Sequence, residues 1–384
     1  MTDVAIVAVA QTDVGEHWSA SLRDLGSEVI GQVLDSAAGI RPELMVVANA
    51  FGATMSSQSQ LGPLLASVGG LHGIETFTVE AGDASGGAAL RTAYLAVQSG
   101  MVECALVVGV EKATDSIASA RVAARNVALD ADYEAAHGLT LSAQAGLVMR
   151  RYMHEFGVGL DAFEGFSINA HANGRTNPHA MFRNALKPGV FAKAGMVADP
   201  VTLFDGAPDA DGAAAVLLTR VRNGATANVV IAGSAGASDS LAIHNRKSLL
   251  SLEAVQASAR SALAQAEASI EQIDLFELHD SFTIASVLAI EGIGLADSGK
   301  GWQLAADSGA RLRPTGDVPM STFGGLKARG NPVGATGIYQ AVEAYMQLMG
   351  LAGENQVPNA EFALIQSIGG LGASAFTHVL RRTD

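Results

Sequence analysis

Residues 81–87, with the sequence AGDASGG, and residues 329–337, with the sequence RGNPVGATG, decide the fold of this chain. Each is a glycine-rich turn that opens a helix rich in small residues. The first N–H groups of a helix are unsatisfied and carry partial positive charge, so two such turns that converge would form a preformed site for an anion or an oxyanion. One turn of this kind is a weak signal. Two in corresponding positions predict one active site whose framework was built twice and then altered.

The pattern of apolar runs repeats along the chain. In the first half it predicts strands at residues 4–10, 44–50 and 104–110, and helices at residues 22–38 and 86–98. In the second half it predicts strands at residues 229–232, 273–278 and 362–367, and helices at residues 252–268 and 337–349. Strands that alternate with helices indicate a mainly parallel sheet covered on both faces.

This repeat divides the chain into two α/β halves of like topology. We expect the first part of the N-terminal half at residues 1–112 and the C-terminal half at residues 223–384. An inserted loop domain is expected at residues 113–222, and its end returns to the N-terminal half. A segment of this length inside a compact domain is usually a lid or a binding loop.

Composition restricts the classes of function. The chain has 384 residues, of which 49% are hydrophobic, and a formal charge of −14. Nucleic acids and anionic membranes require a basic surface, so we expect neither as a partner. No apolar stretch approaches the ~20 residues that span a bilayer, and the first residues lack the pattern of a signal peptide. We therefore expect a cytoplasmic protein.

Cys104 is the single cysteine. One cysteine excludes an intramolecular disulfide and a cysteine-cluster metal site. Cys104 lies in an apolar run that is typical of a buried strand, where a free cysteine behaves as a small hydrophobe. The alternative is a displaced catalytic thiol.

Two further segments complete a set of four motifs. They are residues 279–282, with the sequence HDSF, and residues 367–370, with the sequence SIGG. In order and spacing the four motifs resemble the thiolase superfamily, nearest to its sterol-carrier-protein-2-type and archaeal branches, and the resemblance runs from end to end. It implies the thiolase fold, in which two duplicated βα-rich halves with mixed five-stranded sheets form α-β-α-β-α layers. It also implies a loop domain that covers the site and contacts CoA.

Three key positions differ from the family pattern. The family has Cys-x-Ser-Gly in the first turn, Gly-His-Pro in the second and commonly Cys-x-Gly or His-Asn-x-Gly in the last. This chain has Asp83, Asn331 and Ser367 there. An acyl-enzyme needs a thiolate, which a nearby base and a helix N-terminus activate. Without the thiol, the usual reaction of the family is not expected.

Asp83 has two interpretations. A carboxylate at a helix N-terminus is a common cap and would stabilise an inactive site. In a dry pocket it could instead act as a general base or acid toward a substrate hydroxyl or Cα. A useful acyl-enzyme on Asp83 is not expected, because a mixed anhydride is far more energetic than a thioester.

His279, Ser281 and Asn331 are the other candidate catalytic side chains around the thioester. The resemblance implies that the segment containing His279 helps to hold the thioester oxygen, although a structural histidine at a strand end is the alternative. Ser281 stands where the related branch often has an acid–base cysteine, and a serine cannot shuttle protons unaided at neutral pH. Asn331 can donate a hydrogen bond to the thioester oxygen but cannot exchange protons. The alternative is an ordinary Asn-Pro turn.

Backbone donors are expected to survive these replacements. Ser367 is a further catalytic candidate, and Gly369 and Gly370 follow it in a turn that resembles the second oxyanion turn of the family. The N–H groups of Asp83 and Gly369 would form the oxyanion hole. Residues 204–213, which carry three aspartates, resemble a segment that closes the loop domain onto the sheet. Their spacing on a turn does not favour a metal site, and we expect no metal.

The insert carries a group of basic residues that could bind the phosphates of CoA. They are Arg175, Arg183, Lys187 and Lys193. A solvated loop is the alternative for this group. The insert also carries His137, His171 and His179, which should face the pocket. The alternative for each is an ordinary loop residue, and none has metal-ligand spacing.

Three functions remain open from the sequence. The first is an enzyme that cleaves or forms a carbon–carbon bond next to a CoA thioester, in a retro-aldol type of reaction without an acyl-enzyme. The second is a non-catalytic homologue that binds acyl-CoA or serves as a scaffold subunit. The third is an acetyl-CoA acyltransferase with unorthodox residues.

The resemblance also implies the partners. Acyl-CoA is the substrate or ligand, and no cofactor besides this CoA thioester is expected. A homodimer would pair through residues 76–80. A small partner with an oligonucleotide-binding (OB) fold, like the DUF35 proteins, accompanies some aldolases of the superfamily.

Overall fold

The computed structural model describes residues 3–37, 39–221 and 228–383. The strands are β1 (Val4–Gln11), β2 (Leu44–Ala48), β3 (Glu75–Val79), β4 (Cys104–Glu111), β5 (Met196–Ala198), β6 (Val201–Thr202), β7 (Gly212–Arg220), β8 (Val229–Ser238), β9 (Leu275–Glu277), β10 (Phe362–Gly369) and β11 (Ser374–Arg382). The helices are α1 (Leu22–Ser36), α2 (Gly52–Met55), α3 (Leu61–Val68), α4 (Ser85–Ser99), α5 (Ala118–Arg125), α6 (Leu141–Phe156), α7 (Glu164–Gly174), α8 (Glu253–Ala266), α9 (Thr283–Ile293), α10 (Ala306–Gly309) and α11 (Thr336–Leu348).

In the described residues, nine strands form one sheet in the order β3-β2-β4-β7-β1-β8-β11-β10-β9. The pairs β2–β3, β2–β4 and β9–β10 are parallel and the other pairs are antiparallel. The sheet is therefore mixed, as the resemblance implied. The mainly parallel sheet expected from the alternation of strands and helices is wrong, because the strands that return at the centre, β7 and β11, run against their neighbours.

The two halves of the sheet correspond strand by strand. In the first half β3-β2-β4-β7-β1 make five strands, and in the second half β9-β10-β11-β8 occupy the places of β2-β4-β7-β1. Where the fifth strand of the second half would lie, Met320 makes a single parallel bridge to Phe276. The chain leaves the sheet there because Ser321 has a φ of 50°, which extended strands do not adopt.

The layers follow from the faces that each helix buries. Helices α1 and α3 cover the outer face of the first half, and α8 and α9 cover the outer face of the second. Helices α4 and α11 lie between the halves and share one core with both. This gives the thiolase-type α-β-α-β-α arrangement. The core strands predicted from apolar runs are confirmed, and so are helices α1, α4, α8 and α11. Most of their ends lie within a few residues of the predicted ones.

The segment between β4 and β7 contains α5, α6 and α7 and the small β5–β6 pair. Helix α6 begins at Leu141 because Thr140 caps it by accepting a hydrogen bond from Ala143 N. Among the described residues, no helix has the length and apolar character needed to cross a membrane.

Candidate active site

The two glycine-rich turns meet at the starts of α4 and α11. A Cβ on Gly86 would lie 2.6 Å from Gly337 N, and a Cβ on Gly337 would lie 2.4 Å from Gly87 N. Only glycines allow the two helix N-termini to approach so closely. The third turn joins them, because a Cβ on Gly369 would lie 2.6 Å from the carbonyl oxygen of Ala81. The structure thus brings the turns of Asp83, Asn331 and Gly369 together.

Asp83 is buried and forms an ion pair with the loop domain. Its Oδ1 accepts a hydrogen bond of 3.0 Å from Arg125 Nη2. The other side of the Arg125 guanidinium contacts Asp209, which also accepts a bond of 3.2 Å from Arg121 Nε. Burial lowers the pKa of Arg125, but the attraction of Asp83 and Asp209 outweighs it and the pKa is raised. The four side chains form an alternating chain of charges.

This ion pair bears on the capping interpretation of Asp83. The residue before α4 is Ala84, and in the described part of the chain no N–H of the helix donates to the Asp83 carboxylate. The turn is held instead by Ser85, whose Oγ donates to Gly82 O at 2.6 Å. The negative charge of Asp83 is therefore balanced mainly by Arg125 on α5.

His279 is fully buried and neutral. Burial lowers its pKa to about 4, and the charge of Arg125 acts in the same direction, against the attraction of Asp83. Neither ring nitrogen has a hydrogen-bond partner in the described residues. Buried polar atoms without partners are rare and often mark functional sites. One nitrogen of this imidazole can donate a hydrogen bond and the other can accept one.

The two polar atoms of the Asn331 side chain have different roles, one in the turn and one toward the cavity described below. Its Oδ1 accepts hydrogen bonds from Val333 N at 3.0 Å and from Thr336 Oγ1 at 3.1 Å, which close the Asn-Pro turn. Its Nδ2 makes no hydrogen bond within the described ranges and remains a donor. Both interpretations from the sequence thus describe different atoms of the same side chain.

Glu111, at the end of β4, fixes the second turn from behind. Its carboxyl accepts hydrogen bonds from the N–H groups of Ala50, Phe51 and Gly334, at 2.9–3.2 Å, and from the side chain of Asn49. Burial raises the pKa of Glu111 to about 7, against these hydrogen bonds. The sequence alone gave no sign of this role.

A cavity of about 490 Å³ lies between the loop domain and the turns. Ser281, Asn331 and Arg125 line it, with Lys327 and His171 as further polar residues. Much of the remaining wall is apolar, formed by Val122, Leu141, Phe182, Val197, Val201, Leu203, Phe204, Ala207, Pro208 and Phe282. Asp83 and His279 are not part of the wall. Arg125 connects the two places, since it lines the cavity and contacts Asp83.

Ser367 lies behind the site. Its Oγ donates to Gln340 Oε1 at 2.9 Å, and it packs against Gly87 and Gly337, where the two central helices begin. It does not line the cavity. Gly370 follows it at a φ of 56°, within 4 Å of a Cβ position on Gly82.

The basic residues of the insert are exposed and stand apart from the cavity wall. They are Arg175, Arg183, Lys187 and Lys193. Arg183 follows Phe182, which lines the cavity, so the group begins near the rim. His179 is bound to Asp13 at 2.7 Å, and His137 lies outside the cavity wall.

The three aspartates of residues 204–213 have separate roles. Asp205 accepts from Thr202, Asp209 pairs with Arg121 and Arg125, and Asp211 accepts from Lys112 and Thr114. In the ranges that the structure describes, no group of three acidic, histidine or cysteine residues could hold a metal ion. The contacts of Asp209 and Asp211 tie the segment to α5 and to the residues that follow β4.

Lys327 is the functional candidate that motif reading missed most clearly. It lies in a turn of π-helix over Gly325–Arg329, directly before the Asn331 turn. Isolated π turns occur frequently at functional sites. In the sequence, the one indication of this role was a lysine within GGLKARG, a run that is otherwise typical of a glycine-rich turn.

Cys104 is buried in β4, and burial raises its pKa to about 12. A thiol with this pKa holds almost no thiolate at neutral pH. The interpretation of Cys104 as part of the core fits this position.

Comparisons with known proteins cover nearly the whole chain. The family models described as "Thiolase, N-terminal domain" and "Thiolase C-terminal domain-like" match residues 4–222 and 235–382. The chain is 38% identical to an acetyl-CoA acetyltransferase of Methanothermobacter thermautotrophicus, over 100% of both chains. It is 28% identical to human sterol carrier protein 2, over 80% of this chain and 59% of that protein. Among solved structures, an "Ltp2-ChsH2(DUF35) aldolase" superposes with a TM-score of 0.84 over 99% of this chain and 98% of that chain, at 21% identity.

Proposed function

This chain belongs to the thiolase family, and we propose that it cleaves or forms a carbon–carbon bond next to a CoA thioester without a cysteine acyl-enzyme. The buried ion pair of Asp83 with Arg125 carries this proposal. A carboxylate stands where the family has its nucleophile, and its charge acts on His279, a buried neutral histidine whose ring nitrogens have no hydrogen-bond partner in the described residues. These groups suit proton transfer and oxyanion binding rather than acyl transfer.

In the proposed retro-aldol reaction, Asp83 accepts the proton of a β-hydroxyl group on the acyl chain. The Cα–Cβ bond breaks, its electron pair moves toward the thioester to form an enolate, and Cβ leaves as the carbonyl carbon of an aldehyde or ketone. The same carboxyl group then returns the proton to Cα. Atoms and charge balance, and the reaction needs no oxidant or reductant.

The enolate oxygen requires donors that are already in place. Asn331 Nδ2 is one proposed donor, because hydrogen bonds within the turn fix the Oδ1 of the same side chain. His279 can donate from one ring nitrogen. The N–H groups of Asp83 and Gly369 are the proposed backbone donors. Removing one such donor commonly costs 10²–10³-fold in rate, so this set is a substantial part of the proposed catalysis. Ser281 lines the cavity and is proposed to contact the substrate, whereas Ser367 supports the helices behind it.

The second candidate function is a non-catalytic subunit that binds acyl-CoA. One observation favours it: Asp83 and His279 do not line the cavity, and Arg125 already occupies an oxygen of Asp83. For catalysis, the substrate must reach the other carboxylate oxygen, Oδ2, or displace Arg125 from Oδ1.

The third candidate, an acetyl-CoA acyltransferase with unorthodox residues, is suggested by the name of the archaeal relative. The chemistry opposes it, because the one thiol is buried in β4 and has a raised pKa.

The remaining proposals concern binding partners. Arg175, Arg183, Lys187 and Lys193 are proposed to contact the phosphates of CoA at the rim of the cavity. Strand β3 is an edge strand of the sheet among the described residues, and its outer edge is the proposed surface for a homodimer. A small OB-fold partner is supported by the name of the structural neighbour, which contains a DUF35 protein.

The test compares Asp83→Asn with Asp35→Asn, a matched change on the exposed face of α1. Each protein is incubated with a long-chain or steroidal β-hydroxyacyl-CoA, with and without a co-expressed OB-fold partner. Mass analysis measures the shortened thioester, and calorimetry measures thioester binding. We expect Asp83→Asn to lose turnover and to retain binding, while Asp35→Asn matches the wild type. Equal turnover in both variants would remove Asp83 from the mechanism. Binding without cleavage in the wild type would support the non-catalytic subunit.

A further inference from the structure

Lys327 and His171 form a polar pair in the cavity wall that the proposed reaction does not use. Lys327 is 3% exposed, and its ammonium group donates one hydrogen bond, to the carbonyl oxygen of Asp205. Within the described residues, no carboxylate oxygen lies within 4.0 Å of its Nζ. An ammonium group has three N–H donors, and burying donors without acceptors is costly. Lys327 therefore retains donors for a ligand.

His171, on α7, supplies the complementary acceptor. It is 7% exposed, and its Nδ1 lies 3.2 Å from the carbonyl oxygen of Asn184. Because a carbonyl only accepts, Nδ1 must carry the proton. Burial lowers the pKa of His171, and the nearby charge of Lys327 acts in the same direction. The ring is therefore neutral, and Nε2 presents a lone pair with no partner in the described part of the chain.

The surroundings of the pair are apolar. The His171 ring stacks on Phe182 with a centroid distance of 5.9 Å and meets Phe204 edge-on at 6.1 Å. Both phenylalanines line the same cavity, with Leu203 and Val197 on the same wall. Such a surface suits an acyl chain better than the polar arm of CoA.

The charges around Lys327 indicate which oxygen it would bind. Burial lowers the pKa of Lys327, while the attraction of Asp280 and Asp205 acts in the opposite direction, although neither carboxylate makes a close ion pair with Lys327 in the described residues. Two carboxylates near one ammonium group disfavour a third negative charge. A neutral oxygen meets no such repulsion, and a hydroxyl group can both accept from Lys327 and donate to His171.

We propose that Lys327 and His171 form a subsite for a hydroxyl group on the acyl chain, which accepts a hydrogen bond from Lys327 Nζ and donates one to His171 Nε2. The inference deepens the proposed function, since it rests on an acyl-CoA occupying this cavity. It names the substrate class as an acyl-CoA with a hydroxyl group beyond the reacting β-carbon.

The test measures binding and not turnover. Calorimetry compares three saturated acyl-CoAs of one chain length, which carry a hydroxyl, a keto group or no oxygen at the same carbon, scanned from carbon 5 outward. None has a β-hydroxyl group, so none undergoes the retro-aldol reaction. We expect the hydroxyacyl-CoA to bind about tenfold more tightly than the unsubstituted chain at one position, with the ketoacyl-CoA between them. If the wild type fails to cleave β-hydroxyacyl-CoA but keeps this order of affinities, the result contradicts only the proposed reaction and supports the subsite.

Two variants separate the two hydrogen bonds. In Lys327→Met the advantage of the keto group disappears, because the donor is gone. In His171→Phe the hydroxyl and keto compounds bind equally, and both still bind more tightly than the unsubstituted chain. Lys247→Met, which changes a lysine that is 84% exposed, serves as the matched control and should keep the wild-type order.

Two results would overturn the subsite. The first is a wild type that binds all three compounds equally at every position, which decides the matter even if Lys327→Met does not fold. The second is a parallel loss of acetyl-CoA affinity in Lys327→Met and His171→Phe, which would assign the pair to the pantetheine arm of CoA.

Discussion

The two glycine-rich turns each lead into a central helix and differ in what holds their central side chain. Asp83 in the first turn is bound from outside, by Arg125 on the inserted segment. Asn331 in the second turn is bound from within, by Val333 N and Thr336 Oγ1, and Glu111 holds that turn from behind. The first turn is therefore coupled to the loop domain, and the second to the core.

This difference indicates which of the two related turns can acquire new chemistry without loss of the fold. The second turn is fixed by backbone and buried contacts, so its side chain can supply a rigid donor. The charge of the first turn depends on a helix, α5, that has no buried residue. A substrate that displaces or reorients Arg125 would change the environment of Asp83 without disturbing the fold.

The largest effect should come from separating the two turns. In Gly337→Ala, the new Cβ would lie 2.4 Å from Gly87 N and 2.5 Å from Ser367 Oγ, so the backbones of α4 and α11 must move apart. We expect a loss of about 3 kcal/mol in the free energy of unfolding, measured with urea. The matched change is Gly31→Ala on α1, where nothing lies within 4 Å of the new Cβ. It should stabilise the protein by about 0.5–1 kcal/mol, and equal effects of the two changes would contradict the close approach.

The coupling of the first turn to the loop domain is tested by Arg125→Met. The change leaves Asp83 buried without its partner, which typically costs about 3 kcal/mol. Arg121→Met is the control, because Arg121 is more exposed and, in the described residues, forms an ion pair with Asp209 but not with Asp83. The double variant Asp83→Asn/Arg125→Met should recover part of the loss, since it removes both charges. Purely additive losses in urea unfolding would show that the pair contributes nothing to stability.

The positions of these two turns could be predicted, but their partners could not. Residues 81–87 and 329–337 are local patterns, since glycines before a small-residue helix constrain the backbone wherever they occur. Arg125 meets Asp83 across 42 residues and Asp209 across 84 residues, and its helix buries no residue, so packing into the core does not fix its position. Lys327 and Glu111 owe their roles to burial, which a pattern of charged residues does not reveal. Ser367 matched a motif but lies between helices, because depth within the layers depends on packing.

The attachment of the second turn to the core should show in the pH dependence of stability. Burial raises the pKa of Glu111 to about 7, while the unfolded value is about 4.5. Between these values the folded protein retains a proton that the unfolded chain has released, so stability falls as pH rises through this window. The contribution is about 3 kcal/mol.

The measurement compares urea unfolding at pH 5 and at pH 7.5 in the wild type and in Glu111→Gln. Glu277 has a pKa raised by burial to about 8 and titrates in an overlapping window, so the difference between the two proteins is the relevant quantity. We expect the loss between the two pH values to be smaller in Glu111→Gln by about 2–3 kcal/mol. Glu28→Gln, an exposed change on α1, should leave the loss unchanged. If Glu111→Gln and the wild type lose the same free energy of unfolding between the two pH values, a group other than Glu111 titrates in this window.

The smallest effect concerns Ser367, which lies between the two turns. Ser367→Ala removes a hydrogen bond of 2.9 Å to Gln340 Oε1 and leaves a buried acceptor without its donor, which costs about 1 kcal/mol. Ser258→Ala is a matched control, because Ser258 is equally buried and contacts Thr377 at 2.9 Å, away from the cavity. Both variants should lose similar stability in urea unfolding. If Ser367→Ala alone also loses turnover, Ser367 acts in the reaction; if both retain it, the residue serves the packing of α4 against α11, and the chemistry lies with Asp83 and Asn331 in front of it.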